Sequence, residues 1–171
     1  YLQGIPFVDL AYLRKSNVNG NILVYRRHKT RQQLYITVEN CAHKIIKRYA
    51  RECKSSAYLL PILNAVGEQG YKQYKSALRL YNKHLHQISE MIQITPHLTS
   101  YVARHTWAST AREKGIPVSI ISTGMGHSSE KVTYVYLESL DNKTMSEANK
   151  KIISAVTSKK KMILKKSSLT Y

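Results

Sequence analysis

A fixed cation, an imidazole and a phenol follow one another over a short stretch of this 171-residue chain. Arg104 sits in Leu98-Thr-Ser-Tyr101-Val-Ala-Arg104-His105-Thr-Trp-Ala, His127 ends Gly124-Met-Gly-His127, and Tyr136 closes Thr133-Tyr134-Val-Tyr136. A guanidinium stays charged at any working pH and can make two parallel bonds to a phosphate. A phenol can attack phosphorus if cations hold the phosphate and a proton donor covers the leaving oxygen. Tyr101 stands one helical turn before Arg104 and shares its face. Upstream, Arg26-Arg27-His28-Lys29-Thr-Arg31 forms a second basic cluster, and no carboxylate occurs between Asp9 and Glu39.

The elements that must position these groups are legible in outline. Two β-branched and aromatic runs, residues 22–25 and 34–38, flank the basic cluster and predict a strand–turn–strand hairpin with the cations at its tip. Residues 6–13 suggest a short helix with Pro6 in its first turn. Residues 39–54 show helical periodicity, with Cys41, Ile45, Ile46 and Tyr49 on one side. Pro61 argues for an extended course over residues 57–63. Residues 71–93 predict a long amphipathic helix that buries Tyr74, Ala77, Leu78, Tyr81, Leu85 and Ile88. The helix carrying Arg104 is expected to start near Thr99 or Ser100 and to end by Gly115. A short helix from Pro117 through Ile121, broken by Gly124-Met-Gly126, precedes the helix carrying Tyr136. A last helix is expected before the lysines at 159–161, 165 and 166. The fold class is mainly α with one small antiparallel β-sheet.

Composition narrows the partner. The chain carries 27 Lys+Arg against 10 Asp+Glu, a formal net charge of +17. Such an excess favours a polyanion, nucleic acid before others. No apolar run approaches the ~20 residues that a membrane helix needs, so no membrane partner is expected. Cys41 and Cys53 form no C-x-x-C pair and are read as reduced core residues of a cytoplasmic protein. Cys41 with His43 lacks the two further ligands that zinc would require, so no metal site is expected.

The order Arg104, His127, Tyr136 resembles that of the tyrosine recombinase, or phage-type integrase, family of mobile elements. Gly-Met-Gly-His127 is similar to the family's Leu-Gly-His turn, and Thr-x-x-Tyr counted from Thr133 selects Tyr136 over Tyr134. The resemblance implies the family's catalytic-domain fold over residues 1–171 as one domain, with residues 150–171 as a basic tail. It also implies that the separate N-terminal core-binding domain is absent from this chain. Site-specific DNA recombination and integration would then proceed by strand cleavage and rejoining, without metal or cofactor. Tyr136 would be the nucleophile that forms a 3′-phosphotyrosyl link. Arg104 would clamp the phosphate, and His127 would hydrogen-bond it. Lys29, in its Lys-Thr turn, would protonate the 5′-oxygen. Arg26, Arg27, His28 and Arg31 would bind DNA, with Ser119 and Ser122 as minor phosphate contacts.

The implied partners are double-stranded attachment-site DNA, a homo-tetramer on that DNA, and accessory DNA-bending proteins. The free protein is expected to be a monomer, nucleoid-associated once bound. A C-terminal segment, residues 145–158, would pack on a neighbouring protomer. Two positions depart from the family pattern: Gln3 stands at the usual arginine position and Tyr101 at the usual histidine position. Three readings follow. Arg26 or Arg27 fills the charge hole, the enzyme is slow and partner-dependent, or the chain is a catalytically impaired DNA-binding module.

The charge makes a direct prediction. Affinity for any DNA duplex should drop by about 10³-fold or more between low and moderate salt, as counterions are displaced from the backbone. An affinity that hardly changes in a salt titration would contradict the polyanion reading.

Overall fold

Alternation in two short runs builds the sheet that carries the basic turn. In the computed structural model, which describes residues 1–95 and 97–138, β2 (Ile22–Arg26) pairs antiparallel with β3 (Gln33–Thr37). The register sets Leu23 opposite Ile36 and Tyr25 opposite Leu34. All four side chains are buried, whereas Ile22 and Tyr35 on the other face are exposed. Successive residues of a strand point to opposite faces, so one apolar face suffices to fix the pairing. A two-residue strand that the sequence did not reveal, β1 (Val18–Asn19), adds to the free edge of β2. Leu13, Val38, Ala42 and Leu59 close the core over the sheet.

The chain divides into two compact units, 1–135 and 136–171, and the packing described here is that of the first. Helix α1 (Phe7–Ala11) follows Pro6, whose fixed φ of −63° suits a helix entry. Helix α2 (Asn40–Tyr49) buries Ala42, while Ile45, Tyr49 and Cys41 are exposed. Cys41 is therefore a surface thiol rather than the expected core residue, and Cys53 is the buried one. Residues 57–63 run without a strand, joined to the rest by a bridge between Tyr58 and Arg14.

Helix α3 (Gly67–Met91) is long, and its expected stripe is only half covered: Tyr74, Ala77, Leu78 and Leu85 are half-buried, Tyr81 and Ile88 exposed. Phe7 of α1 stacks on Tyr81 with ring centres 5.0 Å apart. Two α3 side chains then fix where α4 (Val102–Glu113) begins. Ser89 Oγ accepts from the Leu98 amide at 2.6 Å, and Asn82 Oδ1 accepts from the Ser100 amide at 2.8 Å. The helix starts after Tyr101, a little later than predicted; the Thr99 hydroxyl accepts the Tyr101 amide at 3.3 Å.

Helix α5 (Val118–Met125) continues past Ile121, through Gly124, to a left-handed Gly126. Gly124 stays helical because its missing side chain makes room for Trp107: a Cβ there would lie 2.9 Å from the indole ring. Helix α6 (Glu130–Glu138) carries Thr133 and Tyr136. The expected terminal helix and the 145–158 docking segment lie outside the described residues. Among the described residues no helix is long and apolar enough to cross a membrane.

Gly126 combines a φ of +61° with close approach, since an added Cβ would sit 2.8 Å from Arg27 Cδ and 2.9 Å from Leu34 Cδ1. A left-handed L-residue alone costs about 1–2 kcal/mol. Gly126→Ala should therefore destabilise the protein by about 2 kcal/mol or more in a denaturant titration. An unchanged midpoint would show that the end of α5 relaxes freely.

Candidate active site

The last carbonyls of a helix lack intrahelical partners and carry the negative end of its dipole. At the end of α5 the chain satisfies two of them by a Schellman turn, with Gly126 N–H donating to Thr123 O and His127 N–H to Ser122 O. The next carbonyls are taken by arginines from elsewhere in the chain. Arg104 Nη2 donates to Met125 O at 2.7 Å. Arg27 Nη1 donates to Met125 O at 2.8 Å and to Gly126 O at 2.9 Å. One carbonyl oxygen thus holds two guanidinium groups, and both arginines are buried, 4% and 7% exposed.

Each arginine is also tied to a second element. Arg104 Nη1 donates to Gly4 O at 2.9 Å. Gly4 has a φ of +64°, and a Cβ on it would lie 3.0 Å from Arg104 Cα, so the turn needs glycine. Arg27 Nε lies 3.5 Å from Asp9 Oδ2, a carboxylate almost fully buried on α1. Asp9 Oδ1 accepts the His28 amide at 2.9 Å and lies 3.5 Å from His28 Nδ1. Thr30 Oγ1 donates to Gly126 O at 3.1 Å. The basic turn between β2 and β3 is therefore anchored on α1 and on the end of α5.

His127 follows the turn directly. Its Nε2 is 3.2 Å from Arg104 Nη2, and its Nδ1 is 2.8 Å from Thr133 Oγ1 on α6. Burial first, then the charges of Arg104, Arg27 and Lys29, pull the imidazole down to about 4, so it is neutral at pH 7. Burial, then Arg104, lowers His105 as well.

The predicted residues are brought together only in part. Arg104, His127 and Arg27 are brought into one cluster, and the Lys29 charge is felt at His127 although its side chain is exposed. Arg27 differs from expectation: it is a buried clamp rather than a surface contact, because two carbonyls and Asp9 engage its guanidinium. Gln3 occupies the turn beside Gly4 with a φ of +50° and its Oε1 reaches toward Gly124 of α5, at the margin of the cluster.

Tyr101 is 58% exposed, its ring 5.9 Å from that of His105, and it lines a cleft of about 130 Å³ with Arg104 and Pro6. Arg26, His28 and Arg31 are exposed on the hairpin, and Tyr12 packs on His28 with ring centres 4.8 Å apart. Ser122 is buried with its carbonyl in the Schellman turn, while Ser119 lies a turn earlier on α5. Tyr136 is half-buried on α6 and opens the second unit. Asp9, Thr30 and Thr133 were missed as site residues. Only their place beside Pro6, in Lys-Thr and in Thr-x-x-Tyr could have signalled them. Among the described residues no group of three His, Cys, Asp or Glu could hold a metal ion.

The neutral imidazole has a measurable consequence. Unfolded histidine titrates near ~6.5, so below that pH the unfolded chain takes up a proton that folded His127 refuses. Stability should fall from about pH 6.5 toward pH 4 by this group and then level off. In a histidine NMR titration His127 should stay neutral down to about pH 4; titration near pH 6.5 would contradict the buried, cation-flanked site.

The phage integrase family model matches residues 3–143. A tyrosine recombinase of Agathobacter rectalis is 28% identical over 138 residues, which cover 78% of this chain and 43% of that protein. The chain thus spans less than half of that relative's length. Among solved structures, XerA recombinase superposes with a TM-score of 0.62 at 19% identity, covering 88% of this chain and 54% of that one. The Tn1549 transposon integrase, solved with transposon right end DNA, gives 0.59 at 13% identity, covering 90% and 55%. These likenesses fix the fold as that of tyrosine recombinase catalytic domains. By the extent of the family match, the chain belongs to the phage integrase family.

Proposed function

We propose that this chain cleaves and rejoins DNA at specific sites during recombination or integration of a mobile element, through a 3′-phosphotyrosyl intermediate on Tyr136. The observation that carries the reading is the buried Arg104–His127 pair held against the end of α5, within the field of Arg27 and Lys29. Tyr136 Oη attacks the scissile phosphorus, the bond to the 5′-oxygen breaks, and Lys29 gives that oxygen its proton. A 5′-hydroxyl from another strand then displaces the phenol. Each step exchanges one phosphoester for another, so no external energy source enters, and the residues named suffice without metal or cofactor. Arg104 stabilises charge on the non-bridging oxygens, an effect worth about 10²–10³ in rate for one preorganised donor. Arg26, His28 and Arg31 lie on the exposed hairpin and would contact the phosphate backbone of a duplex attachment site. The working assembly would be a tetramer on DNA, formed from monomers with accessory DNA-bending proteins, in the cytoplasm at the nucleoid.

A second reading, a DNA-binding module without turnover, is favoured by one feature. Gln3 brings no charge, and Arg27 is already balanced by Asp9, so the cluster holds less free positive charge than two unpaired arginines would. Covalent trapping on nicked attachment-site duplex decides between the two. Wild type should yield a protein–DNA adduct that disappears in Tyr136→Phe. Lys29→Ala should lose the adduct on ordinary DNA and regain it when sulfur replaces the leaving 5′-oxygen, since a thiolate departs without a proton. Equal salt-sensitive binding by wild type and Tyr136→Phe, with no adduct from either, would favour the binding module.

A further inference from the structure

The cleft beside Arg104 is lined unlike a phosphate site. Its space of about 130 Å³ is bounded mainly by Phe7, Tyr74, Leu78, Ser100, Tyr101 and Arg104. A phosphate calls for donors and charge, whereas most of this wall is apolar or aromatic. The Phe7 and Tyr74 rings lie 6.2 Å apart and 28° from parallel, so they line the cleft as one aromatic surface. Neighbouring rings hold both in place: Tyr81 stacks on Phe7 at 5.0 Å, and Tyr12 packs on Tyr74 at 6.0 Å. Tyr101, just before α4, adds a third ring and is 58% exposed.

We infer that this cleft is a nucleobase site, which takes the base of the nucleotide whose 5′-oxygen is the leaving group once that base has left its pairing partner. The inference rests on the proposed strand-transfer reading and names the substrate group beside the scissile phosphate. Strand exchange requires the 5′-hydroxyl end to leave its own duplex, so the base at that end must unpair before it can cross. An unpaired base exposes its ring face to water. Aromatic side chains beside a cationic groove cover such a face whatever the sequence.

The position of the cleft fits that base. Arg104 belongs both to the phosphate cluster and to the cleft wall. Only one sugar separates a base from its 5′-oxygen, so a phosphate held at Arg104 brings the base to the cleft. The space is on the scale of one base and not of a base pair. The hydroxyls of Ser100 and Tyr101 offer donors and acceptors to the base edge. A phenol at the usual histidine position thereby has a use, since its ring presents a broader apolar face than an imidazole.

Two readouts on nicked attachment-site duplex test this, and neither requires cleavage. Binding is compared for DNA that carries a paired base, a mispaired base or an abasic sugar at the 5′ end of the nick. A mispaired base is the easier one to unpair, and the abasic sugar has nothing to stack. The mispaired DNA should bind about 10-fold more tightly than either of the others. Tyr101→Phe should keep that preference. Tyr101→Ala and the cleft-filling Leu78→Trp should lose it, while still binding intact duplex in a salt-dependent way. In the second readout 5-iodouracil replaces the same base, and the photocrosslink should map to Phe7, Tyr74 or Tyr101. Equal affinity for mispaired and abasic DNA, or crosslinks only outside the cleft, would overturn the inference. If Leu78→Trp does not fold, Tyr101→Ala at its exposed position decides. Base-dependent binding without any covalent adduct would refute strand transfer and leave the base site standing; an adduct on Tyr136 with no base preference would do the reverse.

Discussion

The carbonyl of Met125 is the point on which this site depends. It accepts Arg104 from α4 and Arg27 from the hairpin, two cations whose mutual repulsion the shared acceptor offsets. Hydrogen bonds to charged donors contribute about 1.5–3 kcal/mol each, and here they also carry positional information. Through that one oxygen and its neighbour on Gly126, the basic turn, the arginine helix and the histidine turn are brought into register. The left-handed Gly126 makes this possible: it ends α5, exposes both carbonyls and leaves room for Arg27 and Leu34. The sequence Gly-Met-Gly-His is thus a device for presenting acceptors, with the imidazole emerging directly after them.

Electrostatics gives the cluster its character. Two buried guanidiniums and a nearby ammonium would make a strong anion site, but Asp9 balances one of them. Burial first, and then the remaining field, keeps His127 neutral. A neutral imidazole beside a fixed cation suits a reaction in which protons move while the charge on phosphorus is held. Gln3 adds no charge at the margin of the cluster, and Arg27 faces inward. Its guanidinium is held by two carbonyls and Asp9 and forms part of the scaffold around Arg104.

What was legible in the sequence follows from which signals are local. The hairpin, with Leu23, Tyr25, Leu34 and Ile36 inward, is written in period-two alternation, and the order Arg104, His127, Tyr136 stands in the chain as motifs. The direction in which a side chain turns is not local. Arg27 looks like any hairpin cation until Asp9 and the end of α5 are seen beside it. The same holds for α5, which runs through Gly124 because Trp107 of another helix fills the space a side chain would take. Cys41 shared a helical stripe with Ile45 and Tyr49, yet among the described residues all three are exposed. Thr133 was invisible as a partner because its hydroxyl meets His127 only across a turn between two helices.

The proposed chemistry requires that the bond to DNA form at the Tyr136 hydroxyl. The most direct measurement is mass-spectrometric mapping of the peptide that carries nucleotide after reaction with nicked attachment-site DNA. The account predicts nucleotide on Tyr136 and on no other of the 13 tyrosines. Nucleotide on Tyr134, on Tyr101 or on a residue that is not tyrosine would contradict it.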